Sequence, residues 1–230
     1  MDKILLMLQL QASLNDATNG EKWTGGVTKN GKLINWKRCI YMECAEMIDS
    51  FTWKHWKNID KEADWDNLQI EVIDVWHFIM SLAIENYSQT LRGGVEDLAI
   101  DISELENFTK IDTQNEIFAP QDDVIEKVES IMLNTLSKDS FNLEKLIADF
   151  FDLVVMSGLD LESLYKLYVG KNILNQFRQD HGYKEGLYIK DWAGEEDNVI
   201  MKRVWEDNSN LKPDALYKEL AKLYLSLNKS

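Results

Sequence analysis

The sequence predicts an all-α protein, a helical bundle whose core helices run antiparallel. Three observations carry that expectation. Proline is scarce, two in 230 residues beside 11 glycines, so few positions forbid a helix interior. Hydrophobic residues make up 45% of the chain, enough for one sizeable core or two small lobes. Apolar residues also recur at helical spacing between clear turn signals.

Ile4, Leu5, Leu8 and Leu14 predict an amphipathic helix over about 3–16, with Gln11 and Asn15 one turn apart on it. Asn19-Gly20 ends it, and Gly25-Gly26 and Asn30-Gly31 mark a loop in which Trp23 needs something to pack on. A second helix is expected over about 35–52, closed by Trp53-Lys54-His55-Trp56-Lys57, with a polar connection from Asp60 to Asp64. Asp66 with Gln69 suggests a capping box for a third helix reaching about Gln89, and Gly93-Gly94 a break. Residues 95–120 are read as one helix, followed by helices over about 121–137 and Leu143–Met156, the latter stopped at Ser157-Gly158. Asp160 suits the cap of a long helix ending before Gly182. A basic, aromatic segment from Tyr183 to Asn198 leads into a short helix. Pro213 fits the first turn of a last one, to about Leu227. The whole is expected as a single domain, with residues about 90–140 as a variable helical insert.

Charge narrows the function classes. Forty acidic against 25 basic residues give −15, which disfavours a nucleic-acid or anionic-membrane surface. Cys39 and Cys44, five apart on one helix, are poorly placed to bridge each other and suit a reducing compartment. The apolar run at the N-terminus is too short for a signal peptide, and no run approaches the ~18 apolar residues of a membrane span. A cytoplasmic protein is expected.

Chemistry enters with the acidic residues between 39 and 78. Glu43 and Glu46 sit at i,i+3, as do Glu71 and Asp74, and that spacing puts each pair on one helix face. Their neighbours are apolar, and carboxylates drawn into an apolar interior repel one another and lose hydration unless a cation lies between them. Mg²⁺, which prefers oxygen ligands, is the natural candidate. Chance must be weighed, because a chain this acidic produces on the order of seven such pairs at random, mostly on solvated faces. Glu46/Asp49, Asp101/Glu104, Asp123/Glu126, Glu126/Glu129 and Asp149/Asp152 are the others. Asp149/Asp152 has apolar flanks too and is the internal competitor. Asp74 and His77 show the acid–His spacing of di-iron bundles, but neither His55 nor His181 supplies the second such pair.

Read together, these segments resemble the all-α nucleoside triphosphate pyrophosphohydrolases, and within them the dimeric dUTPases. The residues that carry the resemblance are Leu10-Gln11 with Leu14-Asn15-Asp16, then Trp36 to Glu46, Asp49-Ser50-Phe51 and Trp53 to Lys57. Glu71 to Asp74 and Trp76-His77-Phe78 follow. Near the C-terminal end come Gly170-Lys171-Asn172, Asn175 with Phe177-Arg178-Gln179, Gly182-Tyr183-Lys184 and Glu196-Asp197-Asn198. The resemblance implies Mg²⁺-dependent hydrolysis of dUTP to dUMP and pyrophosphate, with dUDP also accepted, by a homodimer. It implies two or more Mg²⁺ ions on Glu43, Glu46, Glu71 and Asp74, with Glu43 or Glu46 as the base. It implies base contacts from Gln11 and Asn15, where Trp53 and Trp56 can stack, and sugar contacts from His77, Phe78 and Asn175. Lys171, Arg178, Tyr183, Lys184, Lys190 and Asn198 are expected on the phosphates, within a mobile segment over about 171–198. The same chemistry on another nucleotide such as dCTP, a di-iron carboxylate bundle, and a non-catalytic helical module are the alternatives. Residues 90 to 140 match no functional motif.

Overall fold

The computed structural model describes residues 2–57, 62–111, 117–207 and 212–227. In chain order the helices are α1 (Asp2–Asn19), α2 (Trp36–Asp49), α3 (Trp65–Gln89), α4 (Val95–Ser103), α5 (Glu106–Ile111) and α6 (Gln121–Leu136). They continue with α7 (Leu143–Met156), α8 (Leu161–Asp180), α9 (Asp197–Glu206) and α10 (Pro213–Leu227). Strands β1 (Asp191–Trp192) and β2 (Glu195–Glu196) form a small antiparallel hairpin before α9. The all-α expectation holds, and α7 and α10 have the expected bounds.

Side-chain caps decide several starts. Asn35 accepts from the Arg38 backbone N–H at 2.9 Å, Asn142 from that of Lys145 at 2.9 Å, and Asp160 from that of Ser163 at 2.8 Å, each satisfying a donor that the first turn leaves open. The expected Asp66/Gln69 box does not open α3. Asp64 caps it, accepting from the Asn67 N–H at 3.0 Å. The start moves earlier because Trp65 is needed inside the helix, where it packs on Phe51 and Phe118 with ring centroids 5.4 Å and 4.6 Å apart. Residues 60 and 61 of the expected connection lie outside the described residues.

The single helix expected over 95–120 is two, α4 and α5. At about 100° per residue, Ile102 and Ile111 would face opposite sides of a straight helix. The break around Leu105 lets both be buried, together with Phe108. Residues 112–116 lie outside the described residues.

Two compact units divide the chain, Met1–Tyr165 and Lys166–Ser230, with the boundary inside α8. In the first, α3 is the central helix: it packs against α1, α2, α4 and α7. Trp76 stacks on Phe150 at 4.7 Å and 8°, and Phe151 lies against both. Contrary to the expectation from composition, one stretch of α3 is apolar enough to cross a membrane, with a mean hydropathy of 1.2, yet 78% of that stretch is buried within the protein. It is the core helix. Trp23 finds its partner in Trp36, edge-on at 5.8 Å, and its indole N–H donates to Asp16.

The second unit closes around Phe177, Trp192, Leu216, Leu220 and Tyr224. Its hairpin turns through Ala193 and Gly194, both at positive φ (59° and 95°), the backbone twist that a two-residue hairpin turn needs. Gly170 on α8 allows a close approach by α9, since a Cβ there would lie 2.6 Å from Met201 Sδ.

Asp149 and Asp152, the competing acidic pair, hold helices together. Lys127 on α6 lies 3.2 Å from each, Lys110 on α5 lies 3.1 Å from Asp152, and Asn107 donates to Asp152 at 2.7 Å. Burial raises the Asp152 carboxyl, but the hydrogen bonds from Asn107, Lys110 and Lys127 outweigh it and leave it below its usual value. Its contribution is therefore present above the unfolded carboxyl range and is lost as pH falls through the lowered value. Lys127→Met should cost about 1–2 kcal/mol near neutral pH, allowing for partial solvent exposure. Urea unfolding checks this, and the difference from wild type should shrink below about pH 4.

Candidate active site

Helix α2 crosses α3 in the antiparallel sense. Trp36 at the start of α2 stacks on Phe78 at 6.1 Å, while Glu43 and Glu46, two turns further on, meet Glu71, two turns before Phe78. The Ser50 backbone oxygen accepts from the Asp64 N–H at 2.8 Å, and the Ser50 hydroxyl from the Asn67 amide at 2.9 Å, so the end of α2 is tied to the start of α3.

This packing brings ligand oxygens of Glu43, Glu46 and Glu71 within 4.8 Å of one another. Asp74 is half-buried one turn beyond Glu71 and stands outside that group of three. The expectation of four carboxylates in an apolar interior needs correction. Only Glu71 is buried, Glu46 is exposed, and Met42 and Ala45, counted as apolar surroundings, are exposed as well. The group lies at the edge of the α2–α3 contact, where ions and water can reach it. An all-carboxylate donor set of this kind suits a hard cation such as Mg²⁺. Glu43, Glu46 and Glu71, with Asp74 beside them, fit it.

Further along the same α3 surface, Gln11 and Asn15 are buried, not solvated like most amides of a first helix. Gln11 Nε2 donates to Ser81 Oγ at 3.0 Å and Asn15 Nδ2 to the same oxygen at 2.9 Å, while Ser81 donates to the His77 carbonyl at 2.8 Å. Gln11 Oε1 lies 2.6 Å from His77 Nδ1. A carboxamide oxygen only accepts, so Nδ1 carries a proton. Both amides are thereby held in one orientation. Ser81, which has no signature in the sequence beyond its i+4 spacing from His77, organises them.

One turn beyond Ser81, Glu85 is half-buried beside Trp36. Burial pushes its carboxyl up to about 7; the Trp36 indole N–H faces it and offsets part of this, although the two atoms do not reach normal hydrogen-bond geometry. Trp53 and Trp56 are not core residues. They pack edge-on against each other at 5.6 Å, are 41% and 63% exposed, and the Trp53 indole donates to Asp49, which also accepts from Lys54 at 2.7 Å.

In the second unit, four of the expected residues meet. Lys171 donates to Asn198 Oδ1 at 2.8 Å, and Arg178 to the same oxygen at 3.1 Å and to Asn175 Oδ1 at 3.2 Å. Asn175, expected at the sugar with His77 and Phe78, thus joins the cations of its own unit. Tyr183 is flanked by Arg178 and Lys190, 5.9 Å and 5.5 Å from its ring centroid, and Lys184 is exposed. Residue-by-residue reading missed Asp197. This carboxylate is 1% exposed and accepts from Arg178 Nε at 2.8 Å, Arg178 Nη2 at 2.7 Å and the Tyr188 hydroxyl at 2.8 Å.

A family model described as dUTPase matches residues 3–183. No curated protein matches the chain.

Glu85 gives a test of the α2–α3 contact. Its raised value means the folded protein holds a proton that the unfolded chain has lost, so its stabilising share is complete below about pH 4.5 and is lost as pH rises through about 7. Glu85→Gln should therefore gain melting temperature relative to wild type between pH 5 and 8, and differ little at pH 4. A constant offset across that range would remove Glu85 as the titrating group.

Proposed function

The chain belongs to the dUTPase family and is a dUTP diphosphatase, and we propose that Glu43, Glu46, Glu71 and Asp74 form its Mg²⁺-dependent hydrolytic centre. The observation that carries this reading is the convergence of three carboxylates from two helices within 4.8 Å, an all-oxygen donor set that suits a shared Mg²⁺ ion. Bound Mg²⁺ would neutralise phosphate charge and lower the pKa of an attacking water. Glu43, the half-buried member of the group, would take the proton from that water as it attacks the α-phosphorus, with Glu46 as the second candidate. Pyrophosphate leaves from dUTP, and phosphate from dUDP.

Base choice follows from the amide network. Asn15 commits its Nδ2 to Ser81, which turns Oδ1 the other way; its only described donor is Gln11, at a long 3.4 Å. A carbonyl oxygen there would accept from uracil N3–H and be repelled by the N3 lone pair of cytosine. Gln11 would complete the edge, His77 and Phe78 would border the sugar, and the exposed Trp53 and Trp56 are available to stack on the base. Lys171, Asn175, Arg178 and Asn198, with Tyr183, Lys184 and Lys190, form the proposed phosphate-holding group and closing segment. The two cysteines are free, consistent with a cytoplasmic location. The assembly proposed is a homodimer, for which Met42 on α2 and Leu133 and Leu136 on α6 are exposed apolar residues.

A nucleotide panel scored for pyrophosphate against phosphate, with and without Mg²⁺, tests reaction, base and metal together. Wild type should release pyrophosphate from dUTP only with Mg²⁺. Glu46→Gln should lower the rate about 10²–10⁴-fold without lowering the melting temperature. Full dUTPase activity in both Glu46→Gln and Asp74→Asn would end this mechanism. Ser81→Ala, which frees Asn15 to turn over, should reduce the preference for dUTP over dCTP about tenfold, the worth of one hydrogen bond.

A further inference from the structure

Three charged side chains of the second unit are buried together: Lys171 at 3% exposure, Arg178 at 7% and Asp197 at 1%. Phosphate ligands are ordinarily open to their ligand, so deep burial of both cations needs an explanation. It lies in where their hydrogen bonds go. Asp197 uses both oxygens on the Arg178 fork, Oδ2 facing Nε and Oδ1 facing Nη2, and Oδ2 also accepts from Tyr188. That bidentate grip fixes the plane of the guanidinium.

The fixed guanidinium then orients two neutral side chains. Nη2 donates to Asn198 Oδ1 and Nη1 to Asn175 Oδ1, and the Lys171 ammonium shares the Asn198 oxygen. Guanidinium and ammonium groups can only donate, so the amide atom facing them must be oxygen. Each Nδ2 is thereby turned away from the cations, carrying two donor hydrogens outward from the same cluster. Both asparagines are half-buried, not enclosed, and so remain reachable. Tyr188 stays a donor, because burial first and Asp197 second push its hydroxyl far above the usual value.

We propose that Asp197 is the positioning residue of the phosphate-holding group: through Arg178 it pins the oxygens of Asn175 and Asn198 and presents their amide N–H groups to an anionic phosphate chain. The inference rests on the reading above that this group holds phosphate. It goes further in giving the donor role to two oriented amides and the aligning role to a buried carboxylate. An acid beside a phosphate site would otherwise be expected to weaken it; here the charge is spent on Arg178.

Asp197 also stands in the first turn of α9, where a carboxylate stabilises the helix start. Melting temperature should therefore fall in Asp197→Asn on any reading, and the deciding measurements are others. The probes are dUTP kinetics and the binding of inorganic pyrophosphate by calorimetry with Mg²⁺ present. Asp197→Asn should raise KM for dUTP about 10–100-fold with a much smaller change in kcat, and weaken pyrophosphate by a similar factor, the loss expected of one or two charge-assisted hydrogen bonds. Tyr188→Phe should move both in the same direction by a few fold at unchanged melting temperature.

Asn198→Asp is the sharpest variant, and with Tyr188→Phe it decides the matter should Asp197→Asn fail to fold. It keeps an oxygen for Lys171 and Arg178 to hold, so the fold should be as stable or more so. It replaces the outward amide by a second oxygen, and pyrophosphate binding should be lost. Wild-type pyrophosphate affinity in Asn198→Asp, or Asp197→Asn and Tyr188→Phe that change stability but not KM, would overturn the proposal. A wild type that binds pyrophosphate without turning over dUTP would remove the dUTP reading alone, and the calorimetric arm would still decide the roles of Asp197 and Asn198.

Discussion

The antiparallel contact of α2 on α3 is the constraint on which the first unit depends. It has an apolar part, where Trp36 stacks on Phe78 and Ile40, Cys44 and Met47 are buried, and a polar edge two turns away, where Glu43 and Glu46 meet Glu71. The apolar part supplies favourable free energy through burial, and the polar edge gathers oxygens of like charge. Such an edge persists because the rest of α3 is so well buried: Trp76 against Phe150, and Val72, Val75, Ile79 and Met80 fully enclosed. A helix held this firmly carries its carboxylates in a fixed arrangement, the pre-organisation on which the proposed cation site relies.

The second unit treats charge in the opposite way. Where α2 and α3 bring carboxylates of one sign together, Arg178 on α8 is paired in place with Asp197, and Lys171 and Arg178 share the amide oxygen of Asn198. Burying an arginine is tolerable only with its fork filled, and a bidentate carboxylate fills it. A chain of net charge −15 repels polyanions at long range. Any recognition of a polyanion must overcome that repulsion at short range; the first unit contains a group of converging carboxylate oxygens, the second a set of oriented donors.

How far the sequence could be read depended on how local the deciding interaction was. Caps at Asn35, Asn142 and Asp160 act within one turn, and the corresponding helix starts were legible. The α3 start was misread because Trp65 packs, half-buried, on Phe51 and Phe118 from elsewhere in the chain. The break between α4 and α5 was invisible for the same reason. Composition gave Asp149/Asp152 the same standing as the pairs on α2 and α3, and only Lys110 and Lys127, supplied by other helices, identify it as an ion-pair clamp.

The sequence by itself determined most of the helices, the i,i+3 carboxylate pairs and the family, because these are set by spacing along the chain and by the joint order of short motifs. Tertiary structure alone decided that three carboxylates from two helices converge while Asp74 stands beside them. It alone made Ser81 the organiser of Gln11 and Asn15, left Trp53 and Trp56 exposed, and enlisted Asp197 to align Arg178. The physical reason is one: a side chain's role in a charged or hydrogen-bonded cluster is set by what the fold places within about 3 Å of it, and those partners here lie up to 70 residues away along the chain.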